Sequence, residues 1–271
     1  MNAPQKPSCL PIQLARRWVV DYFNAQNADA ARTFIAPEYQ LEIGDHLFAG
    51  RDTQWLPAVA QQFAQFPGMG MTVHQIMAGS ADKADRVAVW FSEHGAAGGP
   101  SGPVATWSGV GIYQAKGEVL VACCAQEDYF TRGRQLRQKV TDPVDAPDPA
   151  PWDTMPMGSN PAAESVVRDW LTHSWPQSQP QVRVDDEHIT GQHMVFDVHS
   201  VDILDIFSSG EHVAFHACQH GIYRCGVPSL VQRDRVEKLQ VNGMLKVQHG
   251  LVQSGRVIRD RGGLKARLMK D

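Results

Sequence analysis

Apolar residues recur at three- and four-residue spacing near the start of the chain. Leu14, Trp18 and Tyr22, with Val19 and Phe23 beside them, fall on one side, and Arg16, Arg17 and Asp21 on the other. That period predicts an amphipathic helix beginning near Pro11. A second such stripe, Ala163, Val166, Val167, Trp170 and Leu171, follows Asn160 and Pro161, a good cap and a good first helical residue. "RRWVVDYF" and "VVRDWL" read as versions of one element. After the first helix, "NADAARTFIAP" predicts a short helix capped near Asn27 and stopped before Pro37. "YQLEIGDHLFAGRDT" predicts two short strands around a Gly-Asp turn, with Gly50 closing the second. Leu56, Val59, Ala60 and Phe63 then mark a third helix from about Thr53 to Phe66, ended by Pro67-Gly68.

Beyond that point the period changes from helical to alternating. "MTVHQIMAG", "DRVAVWFSEHG", "ATWSGVGIYQ" and "EVLVACCAQEDYF" read as strands separated by turn signals. The second of these, residues 85–95, returns at residues 211–221 as "EHVAFHACQHG" with the same His-Gly ending. Around it lie "HMVFDVHSVDILDIFSS", "DRVEKLQV" and "MLKVQHGLVQSG", so the strand portion of the first half occurs twice. The second half has no counterpart to residues 27–66, which predicts an abridged copy. Between the halves, residues 138–161 hold six of the seventeen prolines. Proline fixes φ and removes a donor, so this segment is expected to be extended. The expected organisation is a pocket-bearing domain at 1–137, a linker at 138–160 and the abridged domain at 161–271.

Composition narrows the class only a little. With 43% hydrophobic and 20% charged residues, the chain can build a sizeable core. A net charge of -4 gives no electrostatic footprint for nucleic acid. The one basic stretch, "GRVIRDRGGLKARLMKD", is expected to be a solvated helix or tail. Five cysteines, odd in number and without a C-x-x-C pair, fit reduced thiols. "MNAPQKPSCLP" has no apolar leader, and no run is long enough to span a bilayer, so a soluble cytoplasmic protein without a membrane partner is expected.

Helices followed by a long strand run, the helix ending "YFNAQNADAA", the "FAGRDT" turn and the final "GEVLVACCAQEDYF" together resemble the SnoaL-like group of the nuclear transport factor 2-like superfamily. Residues 10–135 carry the resemblance. It implies an α+β fold of two cone-like units, each a curved antiparallel sheet with N-terminal helices around a mostly apolar pocket. It also implies convex faces that pack on a second copy. The repeat suggests that the copy lies in the same chain, an intrachain pseudo-dimer that can itself pair as a homodimer. "EVLVACCA" agrees, being apolar at odd and even positions as in a strand buried on both faces.

Ketosteroid isomerase-like members of that superfamily work with a Tyr and two acids. The matching positions here are Val19, Ile43 and Gly109, none of which can serve. Neighbouring groups are the candidates instead: Tyr22, Glu42, His46 and Asp128. A carboxylate in an apolar pocket has a raised pKa and can act as a base, although Glu42 is one residue out of register with the expected face. On the last strand Ala122, Cys124 and Gln126 are expected on the concave face, with Cys123 and Ala125 pointing away. Cys124 can be a nucleophile or an inert buried thiol. Gly109 and Gly111 leave room for a flat ligand or bend the sheet. Trp55, Phe91, Trp107 and Tyr113 are candidate walls, with Gln126 a polar contact. His212, His216 and His220 are four apart on a strand, roughly 13 Å each, too far to share one metal ion. A metal held by His199 or His249 from neighbouring strands stays an alternative.

The reading is a protein that binds a small, largely apolar, cyclic molecule in its first half. As an enzyme it would be a cofactor-independent lyase, isomerase or cyclase working by proton transfer, and the alternative is a non-catalytic scaffold.

Overall fold

The structure, a computed structural model, describes residues 9–175, 181–187, 193–228, 230 and 235–270. Most of the N-terminal stretch discussed above, and Asp234 in "DRVEKLQV", lie outside the described residues.

The first stripe forms α1 (Leu10–Arg16), which widens into a π-helical stretch over Arg17–Phe23 and buries Trp18, Val19, Tyr22 and Phe23. Asn27 caps α2 (Ala28–Arg32), its side chain accepting from the N–H groups of Asp29 and Ala30 at 3.1 and 3.2 Å. Strands β1 (Ile35–Ile43) and β2 (His46–Ala49) make the hairpin at Gly44-Asp45. A wide turn over Arg51–Trp55 leads into α3 (Leu56–Gln65). Then come β3 (Gly70–Ala78), β4 (Arg86–Ala96), β5 (Val104–Lys116) and β6 (Val119–Glu127). They form one sheet in the order β2-β1-β6-β5-β4-β3, antiparallel except where β1 runs parallel to β6. The strand read as running on to Phe130 ends at Glu127, because Asp128 caps a further helix, α4 (Tyr129–Gln138).

Residues 139–160 then run extended apart from one short turn at Pro151–Asp153, with Asp148 N–H bonded to the Val73 carbonyl. Asn160 caps α5 (Pro161–Asp169), which widens at Trp170–Ser174 as the first helix does at Arg17–Phe23. Strands β7 (Val182–Val184), β8 (Val195–Ser209), β9 (His212–Cys225), β10 (Glu237–Gln248) and β11 (Leu251–Arg259) make the second sheet, ordered β7-β11-β10-β9-β8. Helix α6 (Arg261–Leu268) follows, capped by Asp260.

The second half is less abridged than its sequence implies. β7 runs parallel to β11 as β1 does to β6, and α6 follows β11 as α4 follows β6. The protein is therefore α+β with two cone-like units, and their sheets meet back to back. Met77, Ala88, Val110 and Ile112 of one interdigitate with Phe207, Ala214, Met244 and Ile258 of the other.

The basic C-terminal stretch is not a solvated tail. Arg256, Arg259 and Arg261 are buried, and they meet buried acids that follow β7. Arg259 donates to Asp185 at 2.9 Å and Arg261 to Glu187 at 2.9 Å, while Arg256 pairs with Asp186. Isolated ions at this depth would be very costly, so the arginines and carboxylates account for one another.

Candidate functional site

Alternation along the strands decides what faces the helices. β4 turns Val87, Val89, Phe91 and Glu93 toward them and Ala88 and Trp90 toward the second sheet. On β6 the inward set is Cys123, Ala125 and Glu127. The helices close over this face without filling it, leaving a cavity of about 190 Å³. Its walls are Trp18 and Phe23 of the first helix, Trp55, Val59 and Gln62 of the α3 region, Leu41, Ile43 and Phe48 of the hairpin, and Phe91 and Tyr113 of the sheet.

Two carboxyl groups, Glu93 and Glu127, face each other at this cavity. Gln62 donates its amide N–H to Glu93 Oε2 at 2.7 Å, and Trp107 Nε1 donates to Glu127 Oε2 at 3.0 Å. The Arg132 guanidinium lies 4.3 Å from the Tyr129 ring centre and 5.0 Å from that of Trp107, close enough for its charge to act on both acids. Burial pushes the Glu93 carboxyl well above the ordinary carboxylate range. The charge of Glu127 pushes it further, against Arg132 and the Gln62 hydrogen bond. Burial raises Glu127 as well, and hydrogen bonds from Trp107 and Tyr129 with the charge of Arg132 offset part of that rise. Glu93 therefore keeps the proton and Glu127 is the better anion. Like charges in close contact cannot both persist in an apolar site. Elsewhere on the wall burial raises the phenols of Tyr39 and Tyr113 and the thiol of Cys123, so these are neutral polar groups.

The candidates read from the sequence divide. Trp55, Phe91, Tyr113 and His46 line the cavity, His46 from its exposed rim. Tyr22 is fully buried behind the wall, 5.0 Å from the Trp55 ring, and Trp107 sits behind Glu127 as a hydrogen-bond donor. Glu42 alternates with Leu41 and Ile43 and points to the opposite face, where it lies 3.9 Å from His216. The expected phase of β6 is reversed. Cys124 and Gln126 face the second sheet, opposite Ile112 and Val110, and Cys123 and Ala125 face the cavity. Burial raises the Cys124 thiol further from a reactive thiolate.

Asp128 does not reach the cavity. It caps α4 and takes the N–H of Asp186 at 2.9 Å and the guanidinium of Arg261. Burial alone would raise its pKa, but the Arg261 charge and these hydrogen bonds outweigh that and hold it at about 2. The room expected at Gly109 is occupied, since a Cβ there would come within 2.4 Å of the Phe91 ring. The histidines of β9 are separated along the strand, with His216 on Asn242 and His220 on Asp202. Among the described residues no three His, Cys, Asp or Glu side chains are placed to hold a metal ion.

The acids that do face the cavity, Glu93 and Glu127, escape the sequence reading. Each carries a weak signal, since Glu93 continues the Val87, Val89, Phe91 phase and Glu127 the Cys123, Ala125 phase. A charged residue in step with an apolar face is a buried charge. On β6 both phases are apolar, so nothing local says which one looks inward.

Helices packed over a curved sheet, with two carboxyl groups at an apolar cavity, make up the first half of the chain. Residues 15–122 match the family described as SnoaL-like domain, so the first half of the chain carries a SnoaL-like domain. Among solved structures, a candidate SnoaL-like polyketide cyclase from Jannaschia sp. CCS1 is 16% identical, covering 50% of this chain and 97% of its own, with a TM-score of 0.41. The corresponding figures for IdmH, a candidate polyketide cyclase from Streptomyces antibioticus, are 22%, 47%, 98% and 0.41. For an LEH-like epoxide hydrolase of M. tuberculosis they are 10%, 50%, 90% and 0.41. A search of curated proteins finds no match.

Proposed function

We propose that the first-unit cavity binds a small, largely apolar, cyclic molecule and that Glu93 and Glu127 move a proton on it. The observation that carries this reading is the pair of facing carboxyls at an apolar cavity, one favoured as acid and the other as base. Glu127 as carboxylate takes a proton from carbon beside a carbonyl, while Glu93 gives its proton to the carbonyl oxygen. The enol so formed is reprotonated at another carbon, expels a leaving group or closes a ring by attack on a second carbonyl. These outcomes are isomerase, lyase and cyclase chemistry, and none needs a cofactor. Phe91, Trp55 and Tyr113 hold the ring flat against the sheet and exclude water, which keeps the acid pair perturbed.

The SnoaL-like match supports a ligand-binding cavity on this fold, and the acid pair supports chemistry over a purely scaffolding role. We read the second unit, 161–271, as a structural partner that makes the chain an intrachain pseudo-dimer. The five free thiols support a cytoplasmic setting.

Native mass spectrometry of the freshly purified protein tests the reading first. An organic mass released on denaturation is expected and defines the assay. Turnover of that class of compound then falls at least 100-fold in Glu127→Gln. No retained mass, combined with no binding of small cyclic ketones seen by NMR, would overturn the proposal in favour of a scaffold.

A further inference from the structure

A second cavity, of about 150 Å³, opens at the seam between the two sheets, on the opposite face of β1 and β6 from the first. Its floor is His216 of β9, only 4% exposed. The imidazole tautomer follows from its neighbour. Asn242 of β10 donates both hydrogens of its amide to carbonyl oxygens of the first sheet, those of Val110 and Cys124, each at 3.0 Å. Only an NH₂ group can satisfy two carbonyls, so the Asn242 oxygen must face His216 Nδ1, 2.7 Å away. Nδ1 therefore carries the proton, and Nε2 is left as a bare acceptor, buried and without a hydrogen-bond partner.

Across from Nε2, at 3.9 Å, stands Glu42 Oε1. The distance is too long for a hydrogen bond, and both atoms are acceptors. Among the described residues no Lys or Arg pairs with Glu42, whereas Asp205 on the same cavity is matched by Lys83 at 2.7 Å and Arg86 at 2.8 Å. Gln114 donates one amide N–H to Asp85 at 2.9 Å. Two acceptors separated by 3.9 Å can both be met by one atom that bears two or more hydrogens. A hydroxyl has one. A water has two, but the cavity offers some ten times the roughly 10–15 Å³ that a single water requires. Ile112 and Leu47 supply apolar wall beside the acceptors.

We infer that this seam cavity is a binding site for a small primary alkylammonium ion, held between His216 Nε2 and the Glu42 carboxylate with its carbon chain against Ile112 and Leu47. The inference does not rest on the chemistry proposed for the first cavity. Burial lowers the pKa of His216, in keeping with a neutral ring that accepts.

The test is a long-range ¹H–¹⁵N spectrum of histidine-labelled full-length protein at pH 7.5, titrated with n-butylammonium chloride at constant ionic strength. The proton of His216 is expected on Nδ1, and the Nε2 resonance should move saturably. Glu42→Gln, an isosteric change at a half-exposed side chain, should weaken binding at least tenfold, and butan-1-ol should give no saturable shift. A proton on Nε2, no saturable shift, equal binding by Glu42→Gln or equal binding of butan-1-ol would each overturn the inference.

Discussion

Glu93 links the site to stability. Its folded-state pKa is raised, so the folded chain holds a proton that the unfolded chain releases above about pH 4.3. Stability from this group is full below that value and is lost as pH rises toward the folded pKa. Glu93→Gln keeps the Gln62 hydrogen bond and removes the loss. The variant should therefore melt higher than the parent at pH 8, with the gap closing toward pH 4, as calorimetry at the two pH values will show. A pH-independent gap would contradict the raised pKa. Gly109 presents a steric case at the same scale. The Phe91 ring covers its Cα so closely that an added Cβ would sit 2.4 Å from Cζ. Gly109→Ala should cost about 1–3 kcal/mol in urea unfolding and displace the ring from the cavity wall. A neutral result would mean that Phe91 is free to move.

Caps and strand phase decide the elements. Asn160 accepts from the Ala163 N–H at 3.1 Å, and Asn160→Ala should cost about 1 kcal/mol by urea unfolding. That cap, like the one at Asn27, was legible because capping is a local property of four residues. Asp128 and Asp260 are caps of the same kind that the sequence reading missed, the first a candidate base and the second inside a stretch expected to be a solvated helix or tail. Their role depends on where a strand stops, and no local signal marks the end of β6 or β11. The phase of β6 was misread for a related reason. Cys123 and Cys124 are adjacent and similar, and both faces of the strand are buried, one against helices and one against the second sheet. Alternation reports an inward face only when the other face is polar.

At the scale of the whole molecule the seam ties the units together through apolar packing and buried ion pairs. Arg261 serves Asp128 of the first unit and Asp185 and Glu187 of the second. Arg261→Met should cost about 3–5 kcal/mol, because it leaves buried carboxylates unmatched. For Asp128 the depressed pKa gives stability that is present above the unfolded value near 3.9 and lost as pH falls through about 2. A chain ending at residue 137 would bare Met77, Ala88, Val110 and Ile112 and strip Asp128 of its partner. It should self-associate in analytical ultracentrifugation, and a soluble monomer would count against the seam as a permanent interface.

By itself the sequence determined the caps at Asn27 and Asn160, the amphipathic helices and most of the strands, because periodicity, caps and proline act over a few residues, whereas α4, β7 and the single strand over Glu237–Gln248 lay beyond it. Tertiary structure alone decided which acids meet. Glu93 and Glu127 come from different strands, and His216, Asn242 and Glu42 from different units, and only the pairing of strands and the stacking of sheets bring such groups into contact. Burial then set the protonation of Glu93, Glu127 and His216, since a carboxyl or imidazole takes its pKa from what surrounds it in space and not from its neighbours in the chain.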